Sequence, residues 1–148
     1  MSVRFVDDYL LYLLARASTE VSGQFHKQLK QHGLQVPEWR VLATLSDGDG
    51  MTLGELAVRA LQRQPTMSKI VDRMERSGLV ERRQNESDRR RVCIYITNDG
   101  RKRIDAALSD AKIHEADVLS DYGKKEAAVL KSVLKSLIER NGAPVNDN

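Results

Sequence analysis

The chain has 148 residues, enough for one domain with its own core, and its 41% hydrophobic and 30% charged residues mark a globular rather than a disordered protein. No apolar run is long enough to cross a bilayer, and the N-terminus MSVRFVDDYL has two acids where a secretory leader needs a basic start and an apolar core, so a cytoplasmic protein that does not enter the membrane is expected. Net charge is only +3, yet residues 59–91 hold ten Lys/Arg against five Asp/Glu, a net of +5 that leaves −2 for the rest and suits a polyanion partner for the centre of the chain.

Tyr9, Leu10, Leu13, Leu14, Ala17, Val21, Phe25 and Leu29 recur at three- and four-residue steps, which predicts a helix of several turns ended by Gly33. This stripe is longer than a small domain needs. It packs either in the chain's own core or against a second subunit. Pro37 suits the first turn of the next helix and Glu38 its positive end, with Trp39, Leu42, Ala43 and Leu45 facing inward. Ser46 to Gly50, SDGDG, is a turn by composition.

Thr52-Leu53-Gly54-Glu55 is a capping box, with Met51 and Leu56 fitting the hydrophobic staple around it and Leu53, Leu56, Ala57 and Ala60 as the buried face. After a link at 61–63, Pro65 opens another helix. Met67, Ile70, Val71 and Met74 point inward. The opposite face carries Thr66, Lys69, Arg73 and Arg76, with Gln64 and Ser68 near its start. Gly78 ends this helix in the left-handed conformation, which a residue with a Cβ adopts only at a cost of ~1–2 kcal/mol. Hydroxyl, amide and cationic groups on one helix face suit phosphates and the base edges of a major groove. The plainer alternative is a solvated face, since Asp72 and Glu75 are mixed among the cations.

Residues 79–84 and 92–97 read as two strands, the second alternating Val92, Ile94 and Ile96 with Cys93 and Tyr95 as a half-buried strand does. Between them Asn85, Ser87 and Asp88 make a turn, followed by Arg89, Arg90 and Arg91. A hairpin with arginines at its tip can reach a minor groove, where negative potential attracts them. Thr97 to Gly100 caps a further helix carrying Ile104, Ala107, Leu108, Ala111, Val118, Leu119 and Tyr122. Gly123 interrupts the path, and Ala127, Leu130, Val133, Leu134, Leu137 and Ile138 form a last amphipathic helix. The expected fold is mainly α with a small β-hairpin wing, a winged helix-turn-helix flanked by helices. Residues 142–148 read as a disordered tail.

In this order and at this spacing the chain resembles the MarR family of bacterial transcription regulators over nearly its whole length. The markers are Pro37-Glu38-Trp39-Arg40-Val41-Leu42, Leu53-Gly54-Glu55-Leu56-Ala57, the run from Pro65 to Glu75 leading into Gly78-Leu79-Val80, and Asp88-Arg89-Arg90-Arg91 ending in Ile96-Thr97 and Gly100. The resemblance implies a single domain over 1–148. About 5–33 and 100–141 would be dimerisation helices, and about 37–97 the DNA-binding region. It implies a homodimer on a near-palindromic duplex operator, recognition by the helix from about Gln64 to Ser77, and Arg90 in the minor groove with Asp88 shaping the wing. Family members often repress genes and release DNA when a small molecule, frequently an aromatic acid or phenol, binds between the two regions. Arg16, His26, Trp39 and Arg40 are conceivable lining residues for such an effector, although core packing for Trp39 and solvent exposure for the others are simpler readings.

The expected DNA contacts are Gln64, Pro65, Thr66, Ser68, Lys69, Arg73, Arg89, Arg90 and Arg91, with Arg82 and Arg83 adding phosphate attraction. Cys93, the only cysteine, excludes an internal disulfide and reads as a small packing residue, because a sensing thiol needs exposure and an activating charge. His26, His32 and His114 are too scattered for a metal site, and no cofactor is implied. No nucleophile elbow, phosphate loop or metalloprotease motif argues for an enzyme. The alternative function is a winged-helix module that binds protein rather than specific DNA, since fold does not fix function. Three consecutive arginines at the tip argue against it.

Overall fold

The computed structural model describes residue 2 and residues 4–142, so the expected tail, apart from Gly142, lies outside the described residues. After a short 3-10 turn, Phe5–Asp8, six α-helices and three short strands follow: α1 Leu10–Leu29, α2 Val36–Asp47, β1 Met51–Thr52, α3 Leu53–Arg59, α4 Gln64–Arg76, β2 Val80–Gln84, β3 Val92–Ile96, α5 Asn98–Leu119 and α6 Lys124–Asn141. Among the described residues no helix is long and apolar enough to cross a membrane.

The local reasons follow the sequence closely. Past α1, a 3-10 turn, Lys30–His32, ends at Gly33 with φ of 66°, so the glycine closes that path in the left-handed region. α2 starts one residue before Pro37, and the Glu38 carboxylate accepts the Gln35 N–H at 3.0 Å, which supplies the N-terminal cap that Val36 lacks. The capping box of α3 is complete: Glu55 N–H donates to Thr52 Oγ1 at 3.2 Å, and Thr52 N–H to Glu55 Oε2 at 3.0 Å. Pro65 occupies the first turn of α4, which opens at Gln64, and Gly78 follows the helix with φ of 76°.

One element is absent from the sequence reading. Met51 and Thr52 serve as cap and staple and also form β1, which pairs antiparallel with β3 as Met51↔Ile94 and Thr52↔Cys93. The wing is therefore a three-stranded sheet of order β1-β3-β2, with β2 paired to β3 from Val80↔Ile96 to Gln84↔Val92. A two-residue strand leaves too short an alternation to register in a sequence. The expectation that β3 is covered on one face also needs correction. Ile94 and Ile96 are buried as expected, but Cys93 on the other face is buried too, while Val92 at the strand's start is exposed.

Leu42, Leu45, Leu56, Met67, Val71 and Ile104 are fully buried at the centre of the core, which joins α2 to α5. α1 contributes only its last turns, through Phe25 and Leu29. Its N-terminal stripe stays exposed within the chain, with Leu10, Leu11 and Leu13 about half accessible. α6 has no buried residue. Only the C-terminal end of the long stripe, Phe25 and Leu29, is thus consumed by the chain's own core.

Candidate nucleic-acid interface

α4 separates its two faces cleanly. Met67, Ile70, Val71 and Met74 are buried at one to four residue steps, which leaves Gln64, Pro65, Thr66, Lys69 and Arg73 exposed and Ser68 half-buried. α3 packs against it, and the small buried side chains of Ala57 and of Ala60, the residue that ends α3, allow close approach. Between the two helices Leu61 takes φ of 59°, unusual for a residue with a Cβ, and is itself exposed. The tight turn fixes how α4 is presented.

The wing tip is built by short polar side chains. Asn85 Oδ1 accepts from Ser87 N–H at 2.8 Å and Ser87 Oγ at 2.6 Å, the local turn chemistry that asparagine favours. Asp88 Oδ1 accepts the Arg90 backbone N–H at 3.0 Å, and Asp88 O accepts Arg91 N–H at 3.1 Å. Asp88 therefore shapes the tip through the main chain. Arg89 and Arg90 project from it, both exposed.

The remaining wing cations are engaged within the chain. Arg91 Nη2 donates to Glu55 Oε1 at 3.3 Å, so one carboxylate serves both the α3 cap and the wing. The Arg83 guanidinium lies 3.9 Å from the Tyr95 ring centroid and pairs with Glu81 at 2.9 Å. Arg82 reaches Asp72 and Glu75 of α4. Side-chain partners of this kind, across strands or between strand and helix, leave no periodic trace, so sequence reasoning treated all these arginines alike.

α1, α2 and α5 line a solvent-open cavity of about 400 Å³. His26, Trp39 and Arg40, three of the residues named for an effector, line it. Arg16 instead hydrogen-bonds Tyr12 Oη at 2.9 Å and lies 3.8 Å from Glu20, both on α1 itself. The Phe25 ring stands edge-on to Trp39 with centroids 4.9 Å apart, and His114 lies 5.9 Å from Phe25. Sequence reasoning missed Ser18 and Ser22 on α1 and the α5 wall of Ala111, His114, Glu115 and Val118. Ala111 and Val118 belong to the apolar stripe already read on α5; the signal passed over was the polar residues beside such stripes, Ser18 and Ser22 four residues apart on α1 and His114 and Glu115 three and four residues after Ala111. Partial burial, then the neighbouring Arg40 charge, lowers the His26 imidazole pKa below its ordinary value.

Comparison with known proteins agrees with this geometry. The MarR family profile matches residues 32–91. A crystal structure of a MarR-family transcriptional regulator from Silicibacter pomeroyi DSS-3 is 42% identical, covers 93% of this chain and 98% of its own, and superposes with a TM-score of 0.81. CouR from Rhodococcus jostii RHA1, crystallised with p-coumaroyl-CoA, is 25% identical over 91% of this chain and 95% of its own, with a TM-score of 0.82. The homoprotocatechuate degradative operon repressor of Escherichia coli is 27% identical over 131 residues, 88% of each chain. With its three-stranded wing, its capped helix-turn-helix and relatives that match it almost end to end, the chain belongs to the MarR family of transcriptional regulators.

Proposed function

We propose that the protein is a homodimeric, sequence-specific DNA-binding repressor whose affinity for a near-palindromic operator is lowered by a small aromatic or phenolic effector. The observation that carries this reading is the pairing of two exposed surfaces. One is an α4 face of amide, hydroxyl and cation, and the other is a wing tip that presents Arg89 and Arg90. Gln64, Thr66, Ser68 and Lys69 in the first turns of α4 meet base edges, Lys69 and Arg73 attract phosphates, and Pro65 lies against the duplex among them. Arg90, on a tip shaped by Asp88, enters the minor groove. Arg89 attracts the flanking backbone, and Arg91 acts through the wing's attachment to Glu55.

The exposed stripe of α1 and the unburied α6 support dimerisation through residues 5–33 and 100–141. Phe5, Leu10, Ile113, Val129, Val133 and Ile138 are all more than half accessible in the single chain. Apolar area of that extent is stabilised by about 25 cal/mol per Å² when a second copy covers it. Two copies would present two α4 helices to half-sites about one helical turn apart. The cavity between α1, α2 and α5 adjoins both the pairing helices and the core under α4, which suits it to an effector site. Its aromatic edge pair and Arg40 suit a flat, acidic ligand, and a relative is named for regulating homoprotocatechuate degradation. No step here calls for catalysis, and the protein acts in the cytoplasm, where its operator lies.

The test is selection from random duplexes at two salt concentrations, with sedimentation of the free protein. A palindromic enriched motif and a dimer are the expected results. A monomer that enriches nothing would overturn the reading.

A further inference from the structure

Arg82 sits on β2 beside the surface assigned to DNA, yet its side chain turns toward α4. Its Nη1 lies 2.6 Å from Asp72 Oδ1 and 3.4 Å from Glu75 Oε1. Its backbone N–H donates to Glu75 Oε2 at 2.8 Å. Asp72 and Glu75 are three residues apart and therefore neighbours on the helix surface. One residue of the wing is thus held at both backbone and side chain by two carboxylates of α4. β2 is an edge strand, and Glu75 takes an N–H that no further strand is there to accept.

Two acids on a helix that faces DNA repel phosphate, and they weaken binding unless they contribute something else. Here they hold the wing. A β-ribbon by itself is a marginal structure with a variable twist. Pairing with β3 sets the register of β2 but not the angle of the ribbon to α4. That angle decides whether a tip arginine and the start of α4 can reach adjacent grooves at once.

We propose that Arg82 is a positioning residue for DNA recognition: bridged to Asp72 and Glu75, it locks the wing to α4 so that major- and minor-groove contacts form together. The inference rests on the DNA-binding reading above. Arg82 itself makes no phosphate contact in this scheme, although it belongs to the basic surface.

The discriminating variant is Asp72→Asn/Glu75→Gln, because the two possible roles of Arg82 predict opposite signs. If Arg82 positions the wing, removing the carboxylates weakens binding to the selected palindrome by about threefold to tenfold, even though two negative charges are gone. Arg82→Gln weakens it by a similar factor, and combining it with the carboxylate variant adds little. The penalty of Arg90→Ala shrinks in the Arg82→Gln background, and hydrogen exchange of the β2–β3 amides quickens in the free protein. Overturning results are tighter binding and a steeper salt dependence in Asp72→Asn/Glu75→Gln, or strictly additive effects of Arg82→Gln and Arg90→Ala. Either would make Arg82 a phosphate contact restrained by acids. Wild-type protein that binds no duplex at low salt would overturn the DNA reading itself. That outcome is distinct from failure of the positioning role, in which the wild type binds and Arg82→Gln matches it.

Discussion

Gly100 and Gly23 both lie inside helices, and the same substitution to alanine is expected to have opposite effects at the two. At Gly100, in the first turn of α5, an added Cβ would stand 2.3 Å from Leu79 O and 2.8 Å from Ile96 Cγ1. Leu79 O cannot retreat cheaply, because it accepts the Thr97 N–H at 3.1 Å while Thr97 Oγ1 donates to Gly78 O at 2.6 Å. Overpacking against fixed backbone costs about 1–3 kcal/mol, and alanine's better helix propensity returns at most about 1 kcal/mol. The net expectation for Gly100→Ala is a loss of about 1–2 kcal/mol. At Gly23, in the middle of α1, a Cβ meets nothing within 4 Å, so Gly23→Ala gains about 0.5–1 kcal/mol. Urea unfolding at one fixed protein concentration measures both, since subunit association would otherwise shift the midpoints. A stabilising Gly100→Ala would show that α5 does not start against the Leu79 carbonyl, and the anchoring of the wing's return to α5 would have to be redrawn.

Arg90→Ala is expected to weaken binding to every duplex and to flatten the salt dependence, read by anisotropy across a salt series; an unchanged slope would remove Arg90 from the interface. Gln64→Ala or Thr66→Ala should alter the selected sequence more than bulk affinity, with each lost base contact reducing discrimination by roughly 1–3 kcal/mol; an unaltered motif would move base reading elsewhere. Burial and Arg40 depress the His26 pKa, so the unfolded chain binds its proton first as pH falls through the ordinary value of 6.5. Stability contributed by neutral His26 is therefore present above that value and lost below it. The wild type should lose more stability than His26→Gln between about pH 7.5 and pH 5.5, and equal losses would contradict the partly buried placement of the ring beside Arg40.

The elements that sequence periodicity reveals are those whose residues act through burial on one face. Met67, Ile70, Val71 and Met74 are such a set, and they are buried as their spacing requires. Thr52 with Glu55, and Gly33 and Gly78, carry local signals because cap and left-handed positions admit few residue types. What spacing does not carry is the choice of partner for a charged side chain. Arg91 reads as a DNA contact and Arg82 and Arg83 as phosphate-attracting cations, yet within the chain they meet Glu55, Asp72 and Glu75, and Tyr95 respectively. Nor does spacing show that the Asp88 carboxylate engages the main chain, accepting the Arg90 backbone N–H. Trp39, Arg40 and His26 could be named for the cavity but His114 and Glu115 of its α5 wall could not, because a hollow is defined by what three helices leave unfilled. Arg16, two residues before the cavity-lining Ser18 on α1, is instead taken up by Tyr12.

The sheet's two borders have a consequence for how copies of this protein can meet. β1 is two residues long, and β2 presents Glu81, Arg82 and Arg83 with one main-chain donor already taken by Glu75. An incoming strand would find at one border almost no backbone to bind and at the other a charged row with an occupied N–H. Growth by strand addition, the route to fibrils and swapped hairpins, is blocked at both ends. Any association of copies would then fall to the helical surfaces, where it would close rather than propagate, and a wing that carries exposed arginines is not a template for its neighbours.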